Sequence, residues 1–125
     1  MRLTLRSIAY EPQVISDEFV DQMAELARLP GAKEMFLSVA RTVIDLRGQN
    51  MKLQEPLLRR VPEIEAPTLI IWGVQDPIIP VAHAHMAHQM IRNSQLHILD
   101  RCGHVPQIEK PEEFNQLVLD FLGSN

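Results

Sequence analysis

The chain has 125 residues, 46% hydrophobic and 22% charged, with a formal net charge of −4; that is enough for one small domain with a single core and an ordinary balance for a soluble globular protein. Its Lys and Arg residues are dispersed, which argues against a nucleic-acid surface, since such a surface needs a dense basic patch to displace counterions from phosphates. No apolar run approaches the ~20 residues that span a bilayer, the start MRLTLRSIAY lacks the apolar core and cleavage site of a signal peptide, and a single cysteine allows no internal disulfide, so a cytoplasmic location is expected.

The first half reads as helix. In SDEFVDQMAELARLPG, Ser16 can cap the N-terminus, and Asp17 and Glu18 suit the positive end of the dipole. Phe19, Met23 and Leu26 recur at helical spacing before Pro30 closes the segment. Residues 33 to 47 place Phe36, Val39, Val43 and Leu46 on one face, with Gly48 as the expected C′ residue. Residues 50 to 60 predict a shorter, more polar helix. Each of these segments carries one apolar stripe and needs a partner to cover it.

The second half changes period. PTLIIWG, residues 67 to 73, is a continuous apolar run bounded by Pro and Gly, as expected of a parallel strand buried on both faces. Pro80 opens a helix through about Ile91, with Ala82, Met86 and Met90 on one face. SQLHIL, residues 94 to 99, alternates as a second strand. Pro111, followed by Glu112 and Glu113, opens a last helix whose stripe is Phe114, Leu117, Val118, Phe121 and Leu122, and Gly123 ends it. Strand–helix–strand–helix predicts an α/β layout with parallel strands and right-handed crossovers.

Two residues stand where such a layout gathers chemistry. Asp76 follows the first strand by three residues, and His104 follows the second by five, so both emerge at the C-terminal ends of neighbouring strands. A carboxylate there can fix the imidazole tautomer and stabilise the imidazolium, leaving the other ring nitrogen to take a proton from a nucleophile. Alone, Asp76 could be a turn residue before Pro77, and His104 a loop histidine capping a helix or a carbonyl.

PTLIIWGVQDPIIPVAHA followed by LHILDRCGHVPQIEKPEEFNQLVLDFL resembles the C-terminal end of an α/β-hydrolase-fold enzyme. The resemblance spans residues 66 to 122. It implies that Asp76 is the triad acid and His104 the triad base, with Trp72 and Gly73 at the strand end and Gly103 before the histidine. It implies loop bracing for Glu109 and a packing role for Cys102. Residues 1 to 62, through ARLPGAKEMFLSVARTVIDLRG, more weakly resemble the helical lid of meta-cleavage-product (carbon–carbon bond) hydrolases and related esterases; residues 63 to 125 are then the C-terminal portion of the core. The family's nucleophile sits in G-x-S-x-G. None of Ser7, Ser16, Ser38, Ser94 and Ser124 lies in that pattern, and no glycine-rich oxyanion segment follows an early strand.

The expectation is therefore a partial α/β-hydrolase fold, with the nucleophile half lying before Met1 and no turnover by the chain alone. A small-molecule substrate is expected only if the fold is completed. An open strand edge and uncovered lid helices predict self-association, a homo-oligomer and in the simplest case a dimer; a non-catalytic domain of that kind, or one half of a split enzyme, are the alternatives. The missing nucleophile could be Ser or, as in epoxide hydrolases and dehalogenases, Asp. In HAHMAH, residues 83 to 88, His83 and His85 point about 200° apart on a helix; a solvated face is the expectation, and no metal, organic cofactor, nucleic acid or membrane partner is implied. His97 is expected to be a partly exposed sheet residue.

Overall fold

Ser16 stands at the head of the first long helix, and its side chain accepts the Phe19 N–H at 3.1 Å, as the sequence predicts. The computed structural model describes residues 5–45, 48–49 and 51–124. Helix α1 is Asp17–Leu26, α2 is Ala32–Val43 and α3 is Met51–Arg60. Two-residue strands β1 (Ile44–Asp45) and β2 (Gly48–Gln49) pair antiparallel between α2 and α3. This hairpin corrects the expected helix over 33 to 47: α2 stops at Val43, and Gly48 pairs with Asp45 instead of ending a helix. The β-branched run Thr42, Val43, Ile44 is poor helix material and suits extended backbone. Leu46, expected on the helical face, lies outside the described residues.

The second half follows the predicted order. Strands β3 (Thr68–Gly73) and β4 (Ser94–Leu99) pair in parallel from Thr68 opposite Ser94 to Gly73 opposite Leu99. Helix α4 (Ala82–Met90) connects them, and the short α5 (Pro106–Glu109) and long α6 (Pro111–Gly123) follow. The sequence did not distinguish α5 from the loop after His104. Two more readings need correction. Strand β3 is half-buried over most of its length, not buried on both faces, because the described sheet has two strands and leaves its edges open. In α4 the buried residue is Ala84, while Ala82 and Met86 are exposed; the helix turns a small-residue face to the sheet, which lets the two backbones approach. The α6 stripe holds for Phe114, Leu117, Val118 and Phe121, all half-buried, but Leu122 is exposed.

One core cluster joins the N-terminal segment to the stretch after β4. Ala9, Ile15 and Val20 are buried, and Leu5, Val14 and Phe19 pack on them together with Val105 and Ile108 from the segment after β4. The N-terminal segment therefore lies against the stretch that begins α5. No helix among the described residues is long and apolar enough to cross a membrane.

Candidate active site

Beyond Gly73 the β3–β4 ladder runs on for one step, with the Val74 N–H donating to the Leu99 carbonyl at 2.9 Å. The chain then turns on Asp76. Its Oδ1 accepts the N–H groups of Ile78 (2.8 Å) and Ile79 (3.0 Å), an Asx-type turn across Pro77. That turn commits one carboxylate oxygen and frees the other. Oδ2 stands 2.9 Å from His104 Nδ1, with the Asp76 side chain 4% exposed and the imidazole 34% exposed. The turn-residue reading of Asp76 and the acid reading are thus compatible, since each uses a different oxygen.

Burial on its own would raise the Asp76 carboxyl. The hydrogen bond from His104 and those from the Ile79 and Ile78 N–H groups outweigh it, and the group lies below its ordinary value. An ionised carboxylate can only accept, so Nδ1 carries a proton, and in the neutral ring that tautomer leaves the lone pair on Nε2. Such a couple can take a proton from a hydroxyl and hold the resulting imidazolium.

The loop that carries His104 is held from several sides. Arg101 takes a positive φ of 50°, rare for a residue with a side chain. It pairs with Glu11 at 2.9 Å, and its guanidinium lies 6.0 Å from the Tyr10 ring centroid. The His104 N–H donates to the Ile8 carbonyl at 2.9 Å. Glu109 accepts from Gly103 (2.9 Å), Tyr10 (2.8 Å) and, more weakly, Val105 (3.3 Å), all backbone N–H donors. Its contacts are those of a brace between the loop and the N-terminal segment. Gly73 and Gly103 are both needed for closeness: a Cβ at Gly73 would fall within 3.0 Å of the backbone of Cys102 and Gly103, and one at Gly103 within 3.0 Å of Ile8 and Tyr10 backbone atoms.

Cys102 is fully buried, and burial, reinforced by the negative charge of Glu109, pushes its thiol up to about 11. A buried protonated thiol is a packing group, not a nucleophile. Of the HAHMAH histidines, His83 and His85 are exposed, and His88 Nδ1 lies 2.8 Å from Ser94 Oγ, tying α4 to β4. His97 is half-buried in β4. Among the described residues no three metal-ligating side chains converge. An open cleft of about 260 Å³ runs past the couple, lined by Trp72, Asp76, His104, Pro106 and Phe114 among others; the Trp72 indole N–H donates to the Ile79 carbonyl at 3.2 Å, which fixes that wall.

Parallel strands that deliver a carboxylate and an imidazole to one rim define the C-terminal layout of an α/β-hydrolase, and the chain belongs to that family: the model of the alpha/beta hydrolase family matches residues 2–117. Its relatives are more particular. The chain is 33% identical over 129 residues to 2-hydroxy-6-oxo-2,4-heptadienoate hydrolase of Pseudomonas putida, covering 99% of this chain and 44% of that protein. It is 32% identical to 2-hydroxy-6-oxo-6-phenylhexa-2,4-dienoate hydrolase of Delftia acidovorans, covering 99% and 41%. The crystal structure of a variant of the meta-cleavage product hydrolase CumD superposes with a TM-score of 0.79 at 30% identity, over 100% of this chain and 45% of that one. The chain thus spans less than half the length of these relatives, and the likeness to meta-cleavage product hydrolases read from the sequence is borne out.

Proposed function

We propose that Asp76 and His104 are the acid and base of a Ser-His-Asp type triad in a hydrolase acting on an ester or on a carbon–carbon bond next to a carbonyl. The 2.9 Å contact between Asp76 Oδ2 and His104 Nδ1 carries this reading. Asp76 holds the tautomer with its proton on Nδ1, and Nε2 takes the proton of the attacking group. The names of the relatives favour the carbon–carbon bond of a 2-hydroxy-6-oxo dienoate as the bond cleaved. In the same reading residues 1–62 form the lid and 63–125 the C-terminal portion of the core.

The nucleophile, Ser or Asp, then comes from outside these 125 residues. None of the five serines stands in G-x-S-x-G, Ser16 is spent on a helix cap, and Ser94 donates to the Ile91 carbonyl. Losing one triad member can cost about 10⁴ to 10⁶ in kcat, and the residual rate usually rests on oxyanion donors. The chain alone is therefore expected to be inert toward p-nitrophenyl acetate. Turnover well above the imidazole background, abolished in His104→Ala, would overturn that expectation. Reading the DNA upstream of codon 1 separates the forms of the proposal: an in-frame G-x-S-x-G points to one longer enzyme, a neighbouring frame carrying it to a split one.

A second reading, a self-associating domain kept for binding, is favoured by one observation: Phe36 and Leu57 on α2 and α3 are 69% and 68% exposed. A symmetric dimer could cover such faces.

A further inference from the structure

The residue before the acid makes contacts that neither the turn nor the strand requires. The Gln75 N–H donates to the Cys102 carbonyl at 2.9 Å. Its side chain then returns to the same loop: Oε1 accepts the Cys102 N–H at 3.0 Å, and Nε2 donates to Asp100 Oδ1 at 2.9 Å. Nitrogen and oxygen of this carboxamide are distinguishable from their partners alone, because a backbone N–H can only donate and an ionised carboxylate only accepts. The Asp100 carboxyl lies below its ordinary value, and the Gln75 hydrogen bond is the first cause. A carboxamide offers acceptor and donor on one rigid plane, and here both are used.

Residue 75 thus binds residue 102 at both N–H and C=O, one position from Asp76 and two from His104. On the other side, Gly73 and Gly103 meet without a Cβ between them. Among the described residues, the side-chain hydrogen bonds between the two loops are those of Gln75 and the Asp76–His104 contact itself. We propose that Gln75 is a positioning residue for the couple: its carboxamide clasps the loop that bears His104 and sets the span across which Asp76 reaches the imidazole. The proposal rests on Asp76 and His104 acting as acid and base, and deepens that reading by naming what aligns them.

The test is ring ¹⁵N NMR of His104 in the full 125-residue chain, with exchange of the Nδ1–H proton as the second readout. The native chain should show the Nδ1–H tautomer. Gln75→Leu, which keeps the bulk and removes both bonds, should give a tautomer mixture and exchange about tenfold faster or more. Gln75→Glu keeps the acceptor for the Cys102 N–H but sets two carboxylates side by side, so it should loosen the imidazole too. Adding Asp100→Asn to it reverses donor and acceptor across the same contact and should restore the native signal, which a general packing role would not produce. Asp76→Asn is the reference that separates the two levels. If it disturbs the His104 signal while Gln75→Leu and Gln75→Glu leave it native, the clasp is wrong and the couple stands. If Asp76→Asn leaves it native, the couple itself fails and takes the clasp with it. Should Gln75→Leu not fold, the Gln75→Glu chain with and without Asp100→Asn decides, and no rescue in the double variant overturns the proposal.

Discussion

The stretch from Thr68 to Gly123 and the helices between Asp17 and Arg60 are held in different ways. In the first, loops cross one another at backbone distance: Gly73 lies on Gly103, Gln75 grips residue 102, and Glu109 gathers three N–H groups. In the second, Val20 is the buried residue of α1, and Leu26, Met35, Phe36, Val39 and Leu57 are exposed. Specific contacts concentrate around Asp76 and His104, where the proposed proton transfer would be sensitive to a misplacement of an ångström. Amphipathic helices need only a complementary apolar surface, and here much of theirs stays open. The Asp76–His104 pair is held by contacts within the described residues, whereas much of the apolar surface of the helices is exposed.

Glycine substitutions should break the comparison most sharply. In Gly73→Ala the new Cβ meets backbone on the opposite loop, which cannot swing aside like a side chain. A loss of about 3 kcal/mol in urea unfolding is expected, at the upper end of overpacking costs. Gly31, between α1 and α2, has a φ of 81° but nothing within 4 Å of an added Cβ, so Gly31→Ala should cost about 1 kcal/mol through backbone strain alone. Equal losses at the two positions would mean that the loops around the couple are no tighter than the helical half. Next comes Glu109→Ala, which strands the Gly103 and Tyr10 N–H groups and should cost about 2 kcal/mol. Hydrogen exchange should show both amides losing protection together, since one carboxylate serves both.

Much of this was legible in the sequence, and the parts that were not share a cause. PTLIIWG and SQLHIL announced their strands by composition and period, Ser16 its cap and Pro111 its helix. Asp76 and His104 could be paired because each follows a strand end, and parallel strands bring those ends together. The hairpin at Ile44–Asp45 was lost inside a stripe that would equally fit a longer helix. Gln75 gives no such signal, because a polar residue in a loop carries no periodicity, and its contacts depend on which atoms of the opposite loop it meets. The strap of residues 8 to 10 across the His104 loop is hidden for the same reason, since Ile8 contributes a carbonyl and Tyr10 an N–H that any residue but proline could supply.

A smaller effect lies on the acid side. The Asp76 carboxyl sits below its ordinary value of 3.8 in the folded chain, so around that pH the unfolded chain binds more protons. The stability this contributes is full above the unfolded value and is lost as pH falls through the folded one. Urea midpoints of the native chain and Asp76→Asn, compared from about pH 6 to 2.5, should diverge least at the acid end. A constant difference across that range would mean that Asp76 titrates alike in both states and that His104 and the turn do not hold it.

The smallest change in stability is expected where the exposed surface is most apolar. Phe36→Ser and Leu57→Ser alter side chains that are 69% and 68% exposed, and surface positions of this kind shift folding free energy by about 0.5 kcal/mol or less. Association should respond instead. Light scattering on a sizing column is expected to show the native chain self-associating at tens of micromolar and the double variant shifted toward monomer, because the apolar area that rewards contact has been removed. A native chain that runs as a monomer at that concentration counts against the open faces as association surfaces. A double variant that instead loses several kcal/mol would mean these helices are covered within the folded chain after all, and the contrast between the two halves would collapse.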